Sequence, residues 1–336
     1  MKQDSNIPKA SIIVVTWNAR NYVDECLRSL RTNNTAASTE IIVVDNASSD
    51  GTAELIEEVL PGARVVRNAV NLGFARGNNL GIAQSRGRYL FLINSDVTVP
   101  AGCIEKILAF MDENPTVGML GPQMRAPGGA IRRSTMRFPT LWNQFCRALG
   151  VDSLFKSRWA GGFLMPDSDH GRTRDVEVLN GWFWVVRREA LDEVGPLDEQ
   201  FFMYGEDIDW CRRFQRAGWR RVFYADARAL HYGGASSAAA PVRFYLDMQR
   251  ANFQYWNKHH RPAARAAYFG ITLLHHLLRV IGHGLSYPVK REDAAYKVRR
   301  SWAVLRWLLA PASRRHGGES APLMAKQSTG GTPALR

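Results

Sequence analysis

The stretch Leu90-Phe91-Leu92-Ile93-Asn94-Ser95-Asp96 decides the reading of this chain. Four apolar residues run without a break and stop at an amide, a hydroxyl and a carboxylate. A run this short, apolar throughout and then abruptly polar, reads as a strand buried on both faces that surfaces at one end. In open α/β sheets, ligands bind outside the carboxyl ends of the strands. Asp96 therefore stands where chemistry is expected.

The neighbouring sequence repeats the pattern. Ser11-Ile12-Ile13-Val14-Val15-Thr16 is a β-branched run that ends at Trp17-Asn18. Ile41-Ile42-Val43-Val44 is a second, and Asp45 closes it. Arg64-Val65-Val66 and Val117 to Leu120 supply two more, and the opening run, taken from Tyr89 to Ile93, makes five. Between them lie helical spacings: Val23, Cys26, Leu27 and Leu30; Leu55, Ile56 and Val59, with Ser49 or Asp50 in the N-cap position; Asn71 to about Ser85; and Ile104, Ile107, Leu108 and Met111. Strands alternating with helices predict an α/β fold with a Rossmann-like, mostly parallel sheet covered on both faces, joined by right-handed crossovers. Thr16 to Asn18, Asp45 and Asn94 to Asp96 then share one sheet edge.

Further along, Pro127-Gly128-Gly129 predicts a turn between short basic segments, in the manner of a hairpin. Residues 138–175, rich in Trp, Phe, Gly and Pro, read as loops over the site. Val178 to Val186 reads as one strand, Asp207 to Ala217 as a helix, and Arg221 to Ala225 as the last strand. Beyond Pro241 the spacing is helical. Ile271, Leu274, Leu278 and Ile281 share a face opposite Thr272, His276, Arg279 and His283. Ala294 to Leu309 mixes Trp302, Trp307 and leucines with Lys297, Arg299, Arg300 and Arg306. Both stretches have the pattern of interfacial helices with basic faces, so His275, His276 and His283 are expected at a membrane face or the surface. The stretch from Ser313 is rich in Gly, Ser and Pro and predicts disorder.

Charge is concentrated in this last part. Of 44 Lys and Arg and 31 Asp and Glu, residues 241–336 hold 16 and 4, whereas residues 1–240 are nearly neutral. Interleaved Trp and Leu favour an anionic membrane surface over nucleic acid as the partner of that charge. Four scattered cysteines include no CxxC pair, which reads as reduced thiols of a cytoplasmic protein. The polar Met1 to Lys9 predicts no secretory signal, and no apolar run is long enough to predict a membrane span.

Two nucleotide-binding devices are missing. The turn after the first strand, Thr16-Trp17-Asn18-Ala19-Arg20, has no G-x-G-x-x-G, and G-x-x-x-x-G-K-[ST] occurs nowhere. A nucleotide must then be held by a carboxylate on the base or ribose and by a cation on its phosphates. Asp45 suits the first task, or caps its own turn with Ser48 and Ser49. Asp96 suits the second, because Mg²⁺ and Mn²⁺ take oxygen ligands together with substrate phosphates. Gly205-Glu206-Asp207-Ile208-Asp209 places three acids at a helix start. One reading is dipole stabilisation with an Asp209–Arg213 pair, the other a general base. Trp182-Phe183-Trp184 is core by default, with Trp182 available to stack on a sugar.

These motifs, from Ser11 to Asn18, Val43 to Gly51, Asn71 to Asn79, Asn94-Ser95-Asp96 and Gly205 to Asp209 followed by His231, resemble inverting family 2 glycosyltransferases. Bacterial rhamnosyltransferases of cell-surface polysaccharide assembly are the most similar subset, over about residues 10 to 260. The resemblance implies a GT-A fold, a nucleotide-diphosphate sugar donor, Mg²⁺ or Mn²⁺, and a lipid-linked or polysaccharide acceptor. It implies Thr16, Asn18 and Asp45 around the nucleoside, and donor contacts from Asn71, Gly73, Asn78, Asn94 and Ser95. Asp96 and His231 would hold the metal and Asp207 would be the base. Trp182, Glu206 and Asp209 would face the acceptor, the two acids alternatively positioning their helix. Asn94 stands where the family's DxD motif has its first acid. The expected organisation is a catalytic domain at 1–240 (donor half about 10–125, acceptor half about 126–240), a basic membrane-associating region at 241–312 and a tail at 313–336. The expected location is the inner face of the cytoplasmic membrane. L-Rhamnose from a dTDP donor is the first candidate. Another hexosyl or a galactofuranosyl donor, or a catalytically silent glycan- or membrane-binding scaffold, are the alternatives.

Overall fold

The computed structural model describes residues 7–33, 39–154, 165, 170–233, 240–285 and 291–311. The strands are β1 (Ala10–Thr16), β2 (Thr39–Asp45), β3 (Arg64–Arg67), β4 (Tyr89–Asn94), β5 (Val97–Thr98), β6 (Val117–Arg125), β7 (Thr135–Met136), β8 (Arg174–Asp175), β9 (Val178–Leu179), β10 (Phe183–Arg187) and β11 (Arg220–His231). The helices are α1 (Arg20–Asn33), α2 (Thr52–Val59), α3 (Gly73–Gln84), α4 (Cys103–Glu113), α5 (Leu141–Leu149), α6 (Val151–Leu154), α7 (Arg188–Val194), α8 (Glu206–Arg216), α9 (Pro241–His259), α10 (Pro262–Leu285) and α11 (Arg291–Leu308).

Among these residues one sheet runs β3-β2-β1-β4-β10-β6-β11-β5, with β8 paired to β11. β1 lies between two parallel partners, so Ile12 faces Ile41 on one side and Phe91 on the other. A strand covered on both faces has few positions for a polar residue, which is why β1, β2 and β4 read as nearly continuous apolar runs; the buried Ser11 of β1 is paired, donating to Glu40 Oε1 at 2.6 Å. One layer of core joins this sheet to α1, α2 and α4 through Val23, Leu27, Ile56 and Ile107. The opposite layer joins it to α8 and α9 through Ile208, Trp210, Phe214 and Trp256. α3 presses on β1 so closely that a Cβ on Gly81 would lie 2.4 Å from Ile13 Cγ2.

β10 is inserted antiparallel between β4 and β6, with Phe183 facing Ile93 and Val185 facing Leu120. Its last residue, Arg187, is buried. Its guanidinium donates to the carbonyls of Val117, Met111 and Asn114 at 2.9, 2.6 and 3.0 Å, the last two being free carbonyls at the C-terminal end of α4.

Several expectations change. Residues 138–175 are not loops throughout: α5 is a helix with a reciprocal Thr140–Asn143 capping box and a left-handed Gly150 after it. Residues 155–164 and 166–169 of that stretch, and the tail from 312, lie outside the described residues. The single strand expected at 178–186 is two, β9 and β10, because Asn180 to Trp182 turn away from the sheet. The Pro127–Gly129 turn exists, closed by Gly129 N–H to the Ala126 carbonyl at 2.8 Å, but only one bridge, Arg125 to Ile131, follows it. The stretch expected to end at Ala225 and the strand end expected at His231 belong to one strand, β11, with a bulge at Tyr224/Arg228.

The C-terminal helices are packed into the rest of the fold. α9 lies on α8 and α11, and α10 packs along α5 and α11. His276 and Thr272, expected on an outward face, are buried, His276 edge-on to Tyr245. Burial pushes the His276 imidazole down to about 4 and that of half-buried His275 to about 3, so both are neutral. Among the described residues no helix is long and apolar enough to cross a membrane.

Candidate active site

The carboxyl ends of β1 and β4 open into a cavity of about 490 Å³. Thr16 from β1, Asn94, Ser95 and Asp96 after β4, and His231 at the end of β11 line one end of it. Glu206 and Asp207, at the N-terminus of α8, line it too. The common edge follows from β1 and β4 running parallel and from β11 meeting β5 just past Asp96, where His231 pairs with Val97.

Asp96 is 8% exposed. Its Oδ1 lies 3.1 Å from His231 Nε2 and its Oδ2 accepts from Gly233 N–H at 3.1 Å. Trp182 stacks on the His231 ring at 5.5 Å between centroids, so it also lines the cavity. No group of three His, Cys, Asp or Glu side chains suited to a metal occurs among the described residues. One carboxylate and one imidazole meeting at a cavity wall nonetheless fit a hard cation that takes its remaining ligands from substrate phosphates and water.

α8 begins after two residues in left-handed conformation, Tyr204 at φ 69° and Gly205 at φ 79°. A tyrosine held there is strained, and such strain gathers at functional sites. It aims Glu206 and Asp207 at the cavity. Burial pushes the Asp207 carboxyl up to about 6, although the Ile208 N–H donates to its Oδ1 at 2.8 Å. Burial, and then the charge of Asp207, raise Glu206 well above the usual carboxylate range. Glu206 Oε2, Asn180 Oδ1 and Thr16 Oγ1 are buried without a partner at the cavity wall. Buried polar atoms are nearly always paired, so these three mark positions that a polar ligand would satisfy.

Asn71 and Gly73 also line the cavity. Asn71 Oδ1 accepts from Gly73 N–H at 2.9 Å, and Gly73 is at φ 82°. A Cβ there would lie 2.4 Å from the Phe202 carbonyl oxygen, so this loop requires glycine.

Four expected site residues are not on the cavity wall. Asn18 is exposed and clamps two loops together, its Oδ1 accepting from Ser49 N–H at 2.8 Å. Asn78 is buried within α3 and donates to the Phe74 carbonyl one turn back. Asp45 sits beside Thr16 on the next strand. Its Oδ2 accepts from Ser48 N–H at 3.3 Å, the turn-capping alternative, while its buried Oδ1 has no partner. For Asp209 the structure takes the helix-positioning alternative, with its Arg213 pair, and not the acceptor contact. It is fully buried, ion-paired at 3.0 Å to Arg213 and at 2.7 Å to Lys258, and hydrogen-bonded at 2.7 Å to His259 Nε2. Burial alone would raise its carboxyl, but these hydrogen bonds and charges bring it to about 2. The N-cap of α2 is Gly51, not Ser49 or Asp50, and it makes no side-chain cap bond; Asp50, one residue earlier, instead accepts from the Thr52 N–H on its Oδ1 at 3.1 Å.

The sequence did not disclose the other half of the cavity. Met248, Asn252 and Trp256 reach it from α9, Tyr268 from α10, and Gln144 and Arg147 from α5. Asn46 also lines the cavity, beside the Gly73 loop, donating to the Gly73 carbonyl at 3.0 Å. A local signal existed only for Asn180, which precedes Gly181-Trp182 in a polar break between apolar runs.

Comparison with known proteins agrees with this architecture. The family model described as glycosyl transferase family 2 matches residues 11–195. An N-acetylglucosaminyl-diphospho-decaprenol L-rhamnosyltransferase of Mycobacterium tuberculosis is 28% identical over 242 residues, covering 69% of this chain and 78% of the relative. Among solved structures, the mannosyltransferase PcManGT from Pyrobaculum calidifontis, in complex with GDP-Man and Mn²⁺, superposes with a TM-score of 0.53 at 16% identity, covering 94% of this chain and 89% of that one. That likeness is one of fold, and the fold is GT-A. The family match takes in the strand ends at Thr16, Asp45 and Asp96 and extends over more than half of the residues, so this chain belongs to glycosyl transferase family 2.

Proposed function

We propose that this glycosyltransferase moves a sugar, L-rhamnose from dTDP-rhamnose in the first instance, to a lipid-linked or polysaccharide acceptor with inversion at the anomeric carbon. The observation that carries the reading is Asp207. It faces the same cavity as Asp96 and His231, and its carboxyl is raised to about 6, so it is ionised yet basic near neutral pH. A base so placed can take the proton of an acceptor hydroxyl as that oxygen attacks the anomeric carbon opposite the leaving diphosphate.

In this reading the donor half (about 10–125) holds the nucleotide. Thr16 Oγ1, on the cavity wall, is the unpartnered polar atom a nucleoside would meet, and Asp45 Oδ1, also buried without a partner, lies behind it on the next strand. Asn71, Gly73, Asn94 and Ser95 lie where donor oxygens would pass. Asp96 and His231 would hold Mg²⁺ or Mn²⁺, which when bound neutralises charge on the departing diphosphate. Asn94 offers a neutral oxygen in place of a second carboxylate. In the acceptor half, Trp182 and the unpartnered Glu206 Oε2 face the incoming sugar.

The name of the mycobacterial relative supports both rhamnose and a diphospho-polyprenol acceptor. Calorimetric titration with a panel of nucleotide sugars in Mn²⁺, followed by transfer assays on a lipid-linked acceptor, tests the proposal. The expected result is tightest binding of dTDP-rhamnose and transfer that Asp207→Asn abolishes. Tighter binding of another nucleotide sugar replaces the donor. Absence of transfer from every donor leaves the scaffold reading.

A further inference from the structure

α5 has two unlike faces. Gln144 and Arg147 line the cavity, and Asn143 and Cys146 are buried beside them. On the other side Trp142, Phe145 and Leu149, at i, i+3, i+7 spacing, are 61%, 36% and 46% exposed. α10 packs along α5, with the Arg279 guanidinium donating to the Arg147 carbonyl at 3.5 Å. Beyond that contact α10 exposes Leu277, Leu278, Ile281 and Leu285, the last at 78%. Of the thirteen large apolar side chains exposed among the described residues, eight lie on α5, α10 and α11. The remaining surface carries such residues singly, so this clustering marks a contact surface.

The charge says what it contacts. The chain from 241 onward holds 16 Lys and Arg against 4 Asp and Glu. A second copy seated symmetrically on this face would bring two strongly basic regions together. An anionic lipid bilayer instead offers an apolar interior for Trp142, Phe145, Leu149, Ile281 and Leu285 and negative head groups for the arginines.

We propose that the outer face of α5 and the adjoining edge of α10 seat the protein on an anionic bilayer. α5 is then the partition between membrane and cavity. A helix with its side chains is about 10 Å across, so the cavity lies one helix thickness from the interface. An amphiphilic acceptor can keep its chain in lipid while its head group passes α5 beside Gln144 and Arg147. The position of the acceptor rests on the sugar-transfer reading above; the docking face does not.

Flotation of the full chain with vesicles tests this. Vesicles of phosphatidylcholine containing roughly one-third phosphatidylglycerol should carry the protein upward, and pure phosphatidylcholine or high salt should carry much less. Trp142→Ser/Phe145→Ser/Leu149→Ser and, separately, Leu277→Ser/Ile281→Ser should each lower the bound fraction about tenfold or more, because several apolar side chains no longer leave water. All five residues are at least partly solvated, so both variants should keep the thermal midpoint and, in vesicle-free buffer, the nucleotide-sugar affinity of the parent. Parent protein that stays at the bottom of the gradient overturns the proposal. So do variants that float as the parent does, or a parent dimer that the substitutions dissociate. If the parent floats but transfers no sugar, docking stands and the functional reading falls.

Discussion

His231 Nε2 lies 3.1 Å from Asp96 Oδ1, although one residue ends β11 and the other follows β4. Their meeting depends on β5, the two-residue strand after Asp96, which pairs antiparallel with the last residues of β11. Removing either partner leaves one protein ligand for a cation. Asp96→Ala and His231→Ala should each weaken nucleotide-sugar binding in Mn²⁺ by about 10- to 100-fold. Chelation of the metal should stop transfer by the parent enzyme, and added Mg²⁺ or Mn²⁺ should restore it. Titration calorimetry with and without metal reads the first effect, and an activity assay the second.

The base role proposed for Asp207 requires its carboxylate form. With its carboxyl at about 6, kcat/KM should climb as pH rises through 6 and level off above about 7. Asp207→Asn removes the base without removing the donor site. It should lower kcat by about 10²- to 10⁴-fold and leave donor affinity within a factor of two or so. A variant with full activity would end the assignment.

Asp209 predicts a stability effect instead. Its folded value of about 2 is below the ordinary carboxylate value of 3.8. The folded state therefore binds this proton less readily than the unfolded one. Its contribution is fully present above about pH 4 and is lost as pH falls through 2. Asp209→Ala leaves Lys258, His259 and Arg213 facing one another without their shared anion. Breaking a buried pair of this kind costs about 3–5 kcal/mol, and urea unfolding at neutral pH measures it.

Gly73 and Gly102 separate two effects. Both are left-handed, at φ 82° and 76°. A Cβ at 102 meets nothing within 4 Å, whereas one at 73 collides with the Phe202 carbonyl. Gly102→Ala should cost only the backbone strain, about 1–2 kcal/mol. Gly73→Ala should cost more and also weaken donor binding, because Phe202 must move and the loop lines the cavity. Denaturation and calorimetry on the two variants make the comparison.

Glu206 gives the opposite pH sign to Asp209. Its folded carboxyl is raised, so the folded state carries a cost that appears as pH rises above the ordinary value of 4.5. Glu206→Gln should melt higher than the parent at pH 8 and no higher at pH 4, as read by thermal unfolding across pH.

How much of this was legible in the sequence differs from element to element. β1, β2 and β4 were legible because a strand buried on both faces has little choice but to be apolar, and because the polar residues that end them face a single edge. The α8 acids were visible as a cluster. Their division of labour was not, since it depends on Lys258 and His259 arriving from α9. α5 was obscured by its aromatic, proline-flanked surroundings, although its capping residues Thr140 and Asn143 are both present in the sequence.

By itself, then, the sequence determined the α/β order, the carboxylate-bearing strand ends and the basic C-terminal charge, because each is written in local periodicity or composition. Tertiary structure decided which acids see the cavity, that α5, α9 and α10 build its far wall, and that α10 buries His276 while exposing Ile281. Those outcomes depend on contacts between residues far apart in the chain. A helix whose two faces are comparably apolar shows which one is inside only when its partners are in place.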